Sequence, residues 1–258
     1  MPHINLSNVS LDYPVYDAES RSLRRSVTRA LPVGGKIQRG AGKRTSILAL
    51  DQISVSLKDG DRVALLGHNG AGKTSFLKLL AGFYEPTSGI IEKEGKTSAM
   101  LNLMAGMDVS LSGYENILLC GTLHGLRRKE VLERMDEIAD FSELGTYLHM
   151  PVRLYSSGMI QRLAFSISTS INCEILLLDE WFGAGDYSFR QKTSERLSKL
   201  VFNSAILVYA THSPEIAREL CTKAIYLEHG NMCMFDEIDA VLEFSHQAQV
   251  RAGQRASE

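Results

Sequence analysis

The chain has 258 residues, of which 44% are hydrophobic and 22% charged, and its formal net charge is −2. This composition excludes a chain disordered along most of its length and a disulfide-stapled miniprotein, and it leaves enough residues for a core of one large or two small domains. The small net charge hides an asymmetry: residues 20–46 carry eight basic residues and no acid, which leaves 20 basic against 30 acidic groups elsewhere. A local excess of this kind points to a local electrostatic task or a solvated insert. The four cysteines, Cys120, Cys173, Cys221 and Cys233, have no CxxC spacing and read as reduced, mostly buried thiols. The apolar run Ala205–Ala210 has only six residues, far short of the roughly 20 that a span needs. The first 25 residues are broken by Asn5, Asn8, Asp12, Asp17 and Glu19, so no signal-peptide core is expected.

Residues 4–13 alternate apolar and polar, as a half-buried strand does, and similar alternation closes 46–57 at Ile53, Val55 and Leu57. Asp59-Gly60 marks a turn, Val63–Leu66 a short buried strand, and about 72–81 a helix. Residues 102–150 read mainly as helices, with Arg128–Ala139 as one amphipathic helix through Val131, Leu132, Met135 and Ile138. Ile175–Leu178 reads as a buried strand, 190–201 as a helix, 205–210 as a strand and 214–221 as a helix. A hairpin at 224–235 turns around His229-Gly230-Asn231, and Glu237–Phe244 is a final helix. Buried strands alternating with helices indicate an α/β protein with a mostly parallel sheet; the early strands and the helical block indicate two attached subdomains.

Gly67-His68-Asn69-Gly70-Ala71-Gly72-Lys73-Thr74 fits G-x-x-x-x-G-K-[ST] in full, after a strand and before a helix, with Ser75 next in line. The glycines let backbone N–H groups close around phosphate oxygens, and the helix N-terminus adds partial positive charge. Lys73 would reach the β- and γ-phosphates, and the Thr74 hydroxyl would bind Mg²⁺. Gly40-Ala-Gly-Lys43 is a decoy: Arg44 stands where the hydroxyl is needed, Ile37 replaces the first glycine, and no buried strand precedes it. Ile175-Leu-Leu-Leu-Asp179-Glu180 ends a strand in two acids, which suits Asp179 to a metal and Glu180 to the role of general base. Tyr155-Ser156-Ser157-Gly158-Met159 precedes a helix at Ile160–Ile171. Ser-Ser-Gly alone serves as a helix cap; facing an anion, it offers backbone N–H groups and a hydroxyl.

In this order and spacing, these motifs resemble the ATP-binding-cassette (ABC) ATPases over roughly 4–17 and 46–235. The Tyr-Ser-Ser-Gly-Met variant of the family's Leu-Ser-Gly-Gly-Gln signature is similar to the subgroup that exports bacterial surface polysaccharides: O-antigen, capsule and teichoic acid. The resemblance implies a P-loop NTPase (RecA-like) core with an antiparallel β subdomain and a helical subdomain. It implies one ATPase domain over 1–236, with a basic insert at 18–46 and a helical subdomain at about 102–160. Residues 237–258 are then a helix and tail, with no room for a carbohydrate-binding domain.

The resemblance also implies roles. Ser156, Ser157 and Gly158 would meet ATP across a head-to-tail homodimer. Gly183-Ala-Gly-Asp186 matches the D-loop, His212 the histidine that senses the γ-phosphate, and Tyr13 the aromatic that stacks on adenine, with Tyr16 as a rival. No glutamine stands at the Q-loop position; Leu101–Gly106 occupies it, with Asn102 as the nearest amide. The cofactors are ATP and Mg²⁺. The implied partners are a second ATPase subunit, a membrane permease and a lipid-linked polysaccharide, and no nucleic acid. The implied place is the cytoplasmic face of the inner membrane, held peripherally.

An importer or drug-exporter ATPase shares the chemistry but not the signature variant or the insert. A soluble ABC ATPase of the DNA-maintenance or translation-factor type lacks support here, since the chain has neither heptad arms nor a second phosphate loop. In the insert, Leu23, Val27 and Leu31 recur at helical spacing among Arg21, Arg24, Arg25 and Arg29, followed by a polar loop at 33–45. That helix is either a solvated surface element or a contact for anionic headgroups and phosphate-bearing lipid-linked glycans.

Overall fold

The computed structural model describes residues 1–15, 36–39, 45–101, 103–180 and 187–255. The proposed basic helix, Tyr16, the decoy lysine Lys43, Asn102 and the D-loop through Asp186 lie outside the described residues. The chain divides into two compact units: Met1–Gly95 with Leu177–Glu180 and Ala205–Glu258, and Lys96–Leu176 with Trp181–Ser204.

The first unit holds an antiparallel sheet in the order β2-β3-β1-β5, with β1 at His3–Val15, β2 at Lys36–Arg39, β3 at Thr45–Lys58 and β5 at Ser88–Glu94. In β1 the alternation buries Ile4, Leu6, Val9 and Leu11. The period of two skips one residue between Leu6 and Val9, and the register shifts there. Asn8 (φ 51°) takes up the extra residue, and its N–H bonds Ser54 Oγ at 2.8 Å. This bulge keeps four apolar side chains on one face. The segment expected as a polar loop at 33–45 is corrected in part: Lys36–Arg39 pairs with β3, placing Ile37 opposite Ile47. Strand β5 had no signal in the sequence. It is an edge strand, exposed at six of its seven residues, so no buried alternation marks it.

The second sheet of this unit runs β10-β9-β4-β8-β7. Its strands are β4 (Arg62–Leu66), β7 (Ile175–Asp179), β8 (Ile206–Ala210), β9 (Lys223–Glu228) and β10 (Asn231–Glu237). β4 lies parallel to both β8 and β9, with Leu65 opposite Ala210 and Leu66 opposite Tyr226. These paired strands are buried nearly throughout, which explains why they read as continuous apolar runs. Parallel pairing brings the strand ends, and the loops that follow them, to one edge of the sheet, where ligands bind in open α/β folds. Helix α1 (Lys73–Leu80) leaves that edge and buries Phe76, Leu77, Leu79 and Leu80.

The second unit is mainly helical: α2 (Gly113–Leu123), α3 (Arg128–Glu133), α4 (Met135–Ser142), α5 (Ser157–Thr169) and α6 (Tyr187–Asn203), with β6 (Thr97–Met100) beside the start of β7. There the Glu174 and Ile175 N–H groups donate to the Lys96 carbonyl at 2.8 and 3.0 Å. Ile117, Val131, Ile138, Leu148, Leu163 and Ile167 anchor its core. The single helix expected over 128–139 is corrected to two. The break falls at Arg134, whose N–H bonds the Val131 carbonyl three residues back and whose guanidinium reaches the Ser170 carbonyl. The expectation of mostly buried thiols is also corrected: Cys120 and Cys221 are buried, Cys173 is half-buried and Cys233 is exposed, all of them free. Beyond α7 (Pro214–Leu220), helix α8 runs over Ile238–Arg255, longer than expected. Among the described residues, no helix is long and apolar enough to cross a membrane.

Asn116 is fully buried and organises the loop before α2. Its Oδ1 accepts from the Asp108 N–H at 2.8 Å, and its Nδ2 donates to the Asp108 and Ser112 carbonyls at 2.9 Å each. Removing one partner strands the others away from water. Asn116→Ala should cost about 2–4 kcal/mol, read as a lower urea midpoint at unchanged slope.

Candidate active site

The phosphate loop follows β4 directly. Gly67 (φ 146°) lies so close to β9 that a Cβ there would stand 2.3 Å from the Leu227 carbonyl oxygen. Gly72 (φ 110°) caps α1 in a left-handed conformation, and a Cβ there would meet the Ala49 carbonyl at 2.9 Å. These two glycines are required by close approach as well as by dihedral angle. The far side of the loop is tied down too, since the Gly230 N–H donates to the Ala71 carbonyl at 2.9 Å.

Four ionisable groups converge on this loop. Lys73 is only 7% exposed. Its ammonium donates to the Gly67 carbonyl at 2.7 Å and the His68 carbonyl at 3.2 Å. Thr74 Oγ1 donates to Asp179 Oδ2 at 2.8 Å. Glu180 Oε1 lies 2.6 Å from His212 Nε2, and the Lys73 Nζ lies 3.2 Å from the same nitrogen. The shorter contact, to a carboxylate that only accepts, makes Nε2 the donor, so Lys73 bonds its two carbonyls and not the ring. Glu180 also holds a left-handed backbone (φ 41°), with its N–H on the Ala210 carbonyl at 3.0 Å.

Residues far apart in sequence are thus joined: Lys73, Thr74, Asp179, Glu180 and His212 form one cluster. Tyr13 stands beside it, its hydroxyl donating to Ser75 Oγ at 3.1 Å and its ring edge-on to Tyr84 at 5.1 Å. Tyr84 and the Leu227–Gly230 backing of the loop were missed. A tyrosine in a turn and a hairpin tip carry no signal until the fold brings them to the loop. In the second unit, Ser156 Oγ accepts from the Met159 N–H at 3.3 Å, so it caps α5. Ser156 and Ser157 are both exposed, with Gly158 half-buried behind them.

The donor set fits Mg²⁺. Thr74 and Asp179 offer a hydroxyl and a carboxylate oxygen side by side, and Mg²⁺ takes one or two carboxylates and completes its shell with phosphate and water.

Comparison with known proteins gives this arrangement its context. The family model described as ABC transporter matches residues 50–183. The chain belongs to the ABC transporter family. It is 44% identical over 230 residues to the O-antigen export system ATP-binding protein RfbE of Yersinia enterocolitica, covering 89% of this chain and 96% of that one. It is 35% identical to RfbB of Klebsiella pneumoniae, an O-antigen export system ATP-binding protein, over 96% and 98% of the two chains. It is 33% identical to the teichoic acids export ATP-binding protein TagH of Staphylococcus haemolyticus, over 93% and 86%. Among solved structures, the ATP-binding cassette MJ0796, in a dimeric post-hydrolysis state bound to ADP and Pi, superposes with a TM-score of 0.64 at 21% identity. That match covers 91% of this chain and 98% of that one and bears out the fold.

Burial pushes the Lys73 ammonium below the ordinary lysine value of 10.5, and the Glu180 and Asp179 carboxylates pull it partly back. Phosphate oxygens at the loop favour the charged form. Nucleotide affinity should therefore fall on the alkaline side, starting below 10.5, with binding coupled there to proton uptake. Titration calorimetry in buffers of different ionisation enthalpy measures that uptake; a pH-independent affinity with no uptake would contradict the assignment.

Proposed function

We propose that the protein is the ATP-hydrolysing subunit of an exporter that moves a lipid-linked surface polysaccharide, O-antigen or similar, across the cytoplasmic membrane through a separate permease. The observation that carries this reading is the cluster of Lys73, Thr74, Asp179, Glu180 and His212 on a tightly backed phosphate loop. The names of the relatives support the cargo.

Gly67–Ser75 cradle the phosphates of ATP, and Lys73 exchanges its loop carbonyls for phosphate oxygens. Tyr13 stacks on the base. Thr74 and Asp179 hold Mg²⁺, which when bound neutralises phosphate charge. Glu180 takes the proton of the attacking water once His212 releases it, and His212 turns to the γ-phosphate. Little covalent chemistry falls to the protein, so its contribution is positioning and charge. Ser156, Ser157 and Gly158 complete the nucleotide site of a second copy in a head-to-tail homodimer, and Asp186 of the D-loop match also serves nucleotide binding. ATP then bridges two surfaces, and its hydrolysis loosens them. Residues 1–236 act as one ATPase domain, 237–258 as its C-terminal extension. The subunit works peripherally on the cytoplasmic face of the inner membrane.

Glu180→Gln should lower ATP turnover by about 10²–10⁴-fold while ATP still binds. In cells, the same variant should remove the polymer from the surface and accumulate its lipid-linked form inside, read by glycan staining and lipid extraction. Lost turnover with normal surface polysaccharide would point to another cargo. Normal turnover would overturn the assignment of the base.

A further inference from the structure

Beside the phosphate loop, on the side of the β9–β10 turn, stands a second group of side chains that ATP chemistry does not use. His68 is the second residue of the loop, and Glu228 and His229 end β9 and open the turn. One donor atom from each of the three lies within 4.8 Å of the others. The two imidazole rings are 4.7 Å apart between centroids and tilted by 57°.

The tautomer of His68 follows from its partners. Nδ1 lies 2.7 Å from the Asn69 carbonyl oxygen, which can only accept, so Nδ1 carries the proton. In the neutral ring Nε2 is then a bare lone pair, and it is buried with no hydrogen-bond partner. A buried acceptor without a donor is costly, and a ligand that takes the lone pair removes that cost. The pattern is also the one found in metal-bound histidines: one ring nitrogen on the metal, the other N–H on a backbone carbonyl that fixes the ring. Two imidazoles and one carboxylate are the three protein ligands of zinc sites that keep a fourth position open. Nitrogen-rich sets of this kind select zinc-class ions, whereas Mg²⁺ prefers oxygen.

The scaffold under these ligands is fixed. The Gly230 N–H holds the Ala71 carbonyl at 2.9 Å, and the Gly230 carbonyl accepts from the Asp51 N–H at 2.8 Å. The Leu227 carbonyl packs into the space that Gly67 leaves. His229 sits in a left-handed turn (φ 48°), and Asn231 Nδ2 bonds its carbonyl at 3.2 Å. We propose that His68, Glu228 and His229 bind a divalent transition metal of the zinc class, at a site separate from the Mg²⁺ position of Thr74 and Asp179. The ion fastens the phosphate loop to the β9–β10 turn. Zinc bonds of about 2.0–2.2 Å set ligand atoms roughly 3.3 Å apart. Rotation of the exposed His229 and half-buried Glu228 side chains closes the remaining gap.

The test uses untagged, nucleotide-free full-length protein with Mg²⁺ in excess. Titration calorimetry with Zn²⁺ should give one ion per chain. His229→Ala should weaken that binding at least tenfold, by analogy with the loss seen when even outer-shell partners of metal ligands are removed. Because His229 is exposed, the metal-free melting temperature of the variant should match the wild type; Zn²⁺ should then raise the wild-type value and not the variant's. Co²⁺ should give tetrahedral ligand-field bands without a thiolate charge-transfer band. Equal Zn²⁺ affinity in wild type and His229→Ala, absence of stoichiometric binding, or a thiolate band that assigns the ion to a cysteine would each overturn the proposal.

Discussion

The structure depends on one constraint: the phosphate loop must hold its shape mainly through backbone contacts, with the Lys73 side chain tying its Gly67 and His68 carbonyls. A loop of glycines has many conformations, and fixing them costs about 1–2 kcal/mol per residue. Here the cost is met by neighbouring backbone. The Leu227 carbonyl fills the space at Gly67, the Ala49 carbonyl fills the space at Gly72, and the Gly230 N–H caps Ala71. Two segments from distant parts of the chain, β3 and the β9–β10 hairpin, thus mould one loop. This fits the pairing of β9 with β4 and the approach of β3 at Ala49 and Asp51 to the loop and to the hairpin tip at Gly230.

The charge pattern follows from that mould. Lys73 is buried because the first turn of α1 packs into the core, and a buried cation demands nearby acceptors. The loop carbonyls supply two of them, and the acids at the end of β7 supply field without direct contact. Each group has a partner that a phosphate or a water can replace, so the cluster is satisfied and still exchangeable.

Much of this was legible in the sequence because it rests on short-range patterns. The runs 63–66, 175–178 and 206–210 are buried on both faces, and the loop at Gly67–Thr74 stands between a strand and a helix. The bulge at Asn8 was invisible because alternation survives on either side of it. Strand β5 was invisible because an exposed edge has no buried face to advertise. The break at Arg134 was hidden because the apolar spacing of Val131, Met135 and Ile138 runs through it unbroken, and the guanidinium's reach to Ser170 is a tertiary contact. Glu180 was readable from the two acids that end its strand, but His212 could be matched only by resemblance, since their pairing spans strands that are neighbours in space and not in sequence. The grouping of His68 with Glu228 and His229 has the same origin.

The left-handed backbone at Glu180 carries a consequence for how this protein ages in evolution. A side chain in that region costs roughly 1–2 kcal/mol that a glycine would recover. The cheapest route to a hardier protein at this position is therefore loss of the carboxylate itself. On the proposed role of Glu180 as general base, such a chain would fold better and turn over ATP far more slowly, so the acid would persist only where that activity is selected. On that same proposal, a relative in which position 180 has relaxed to glycine would be a cassette that has exchanged ATP turnover for stability.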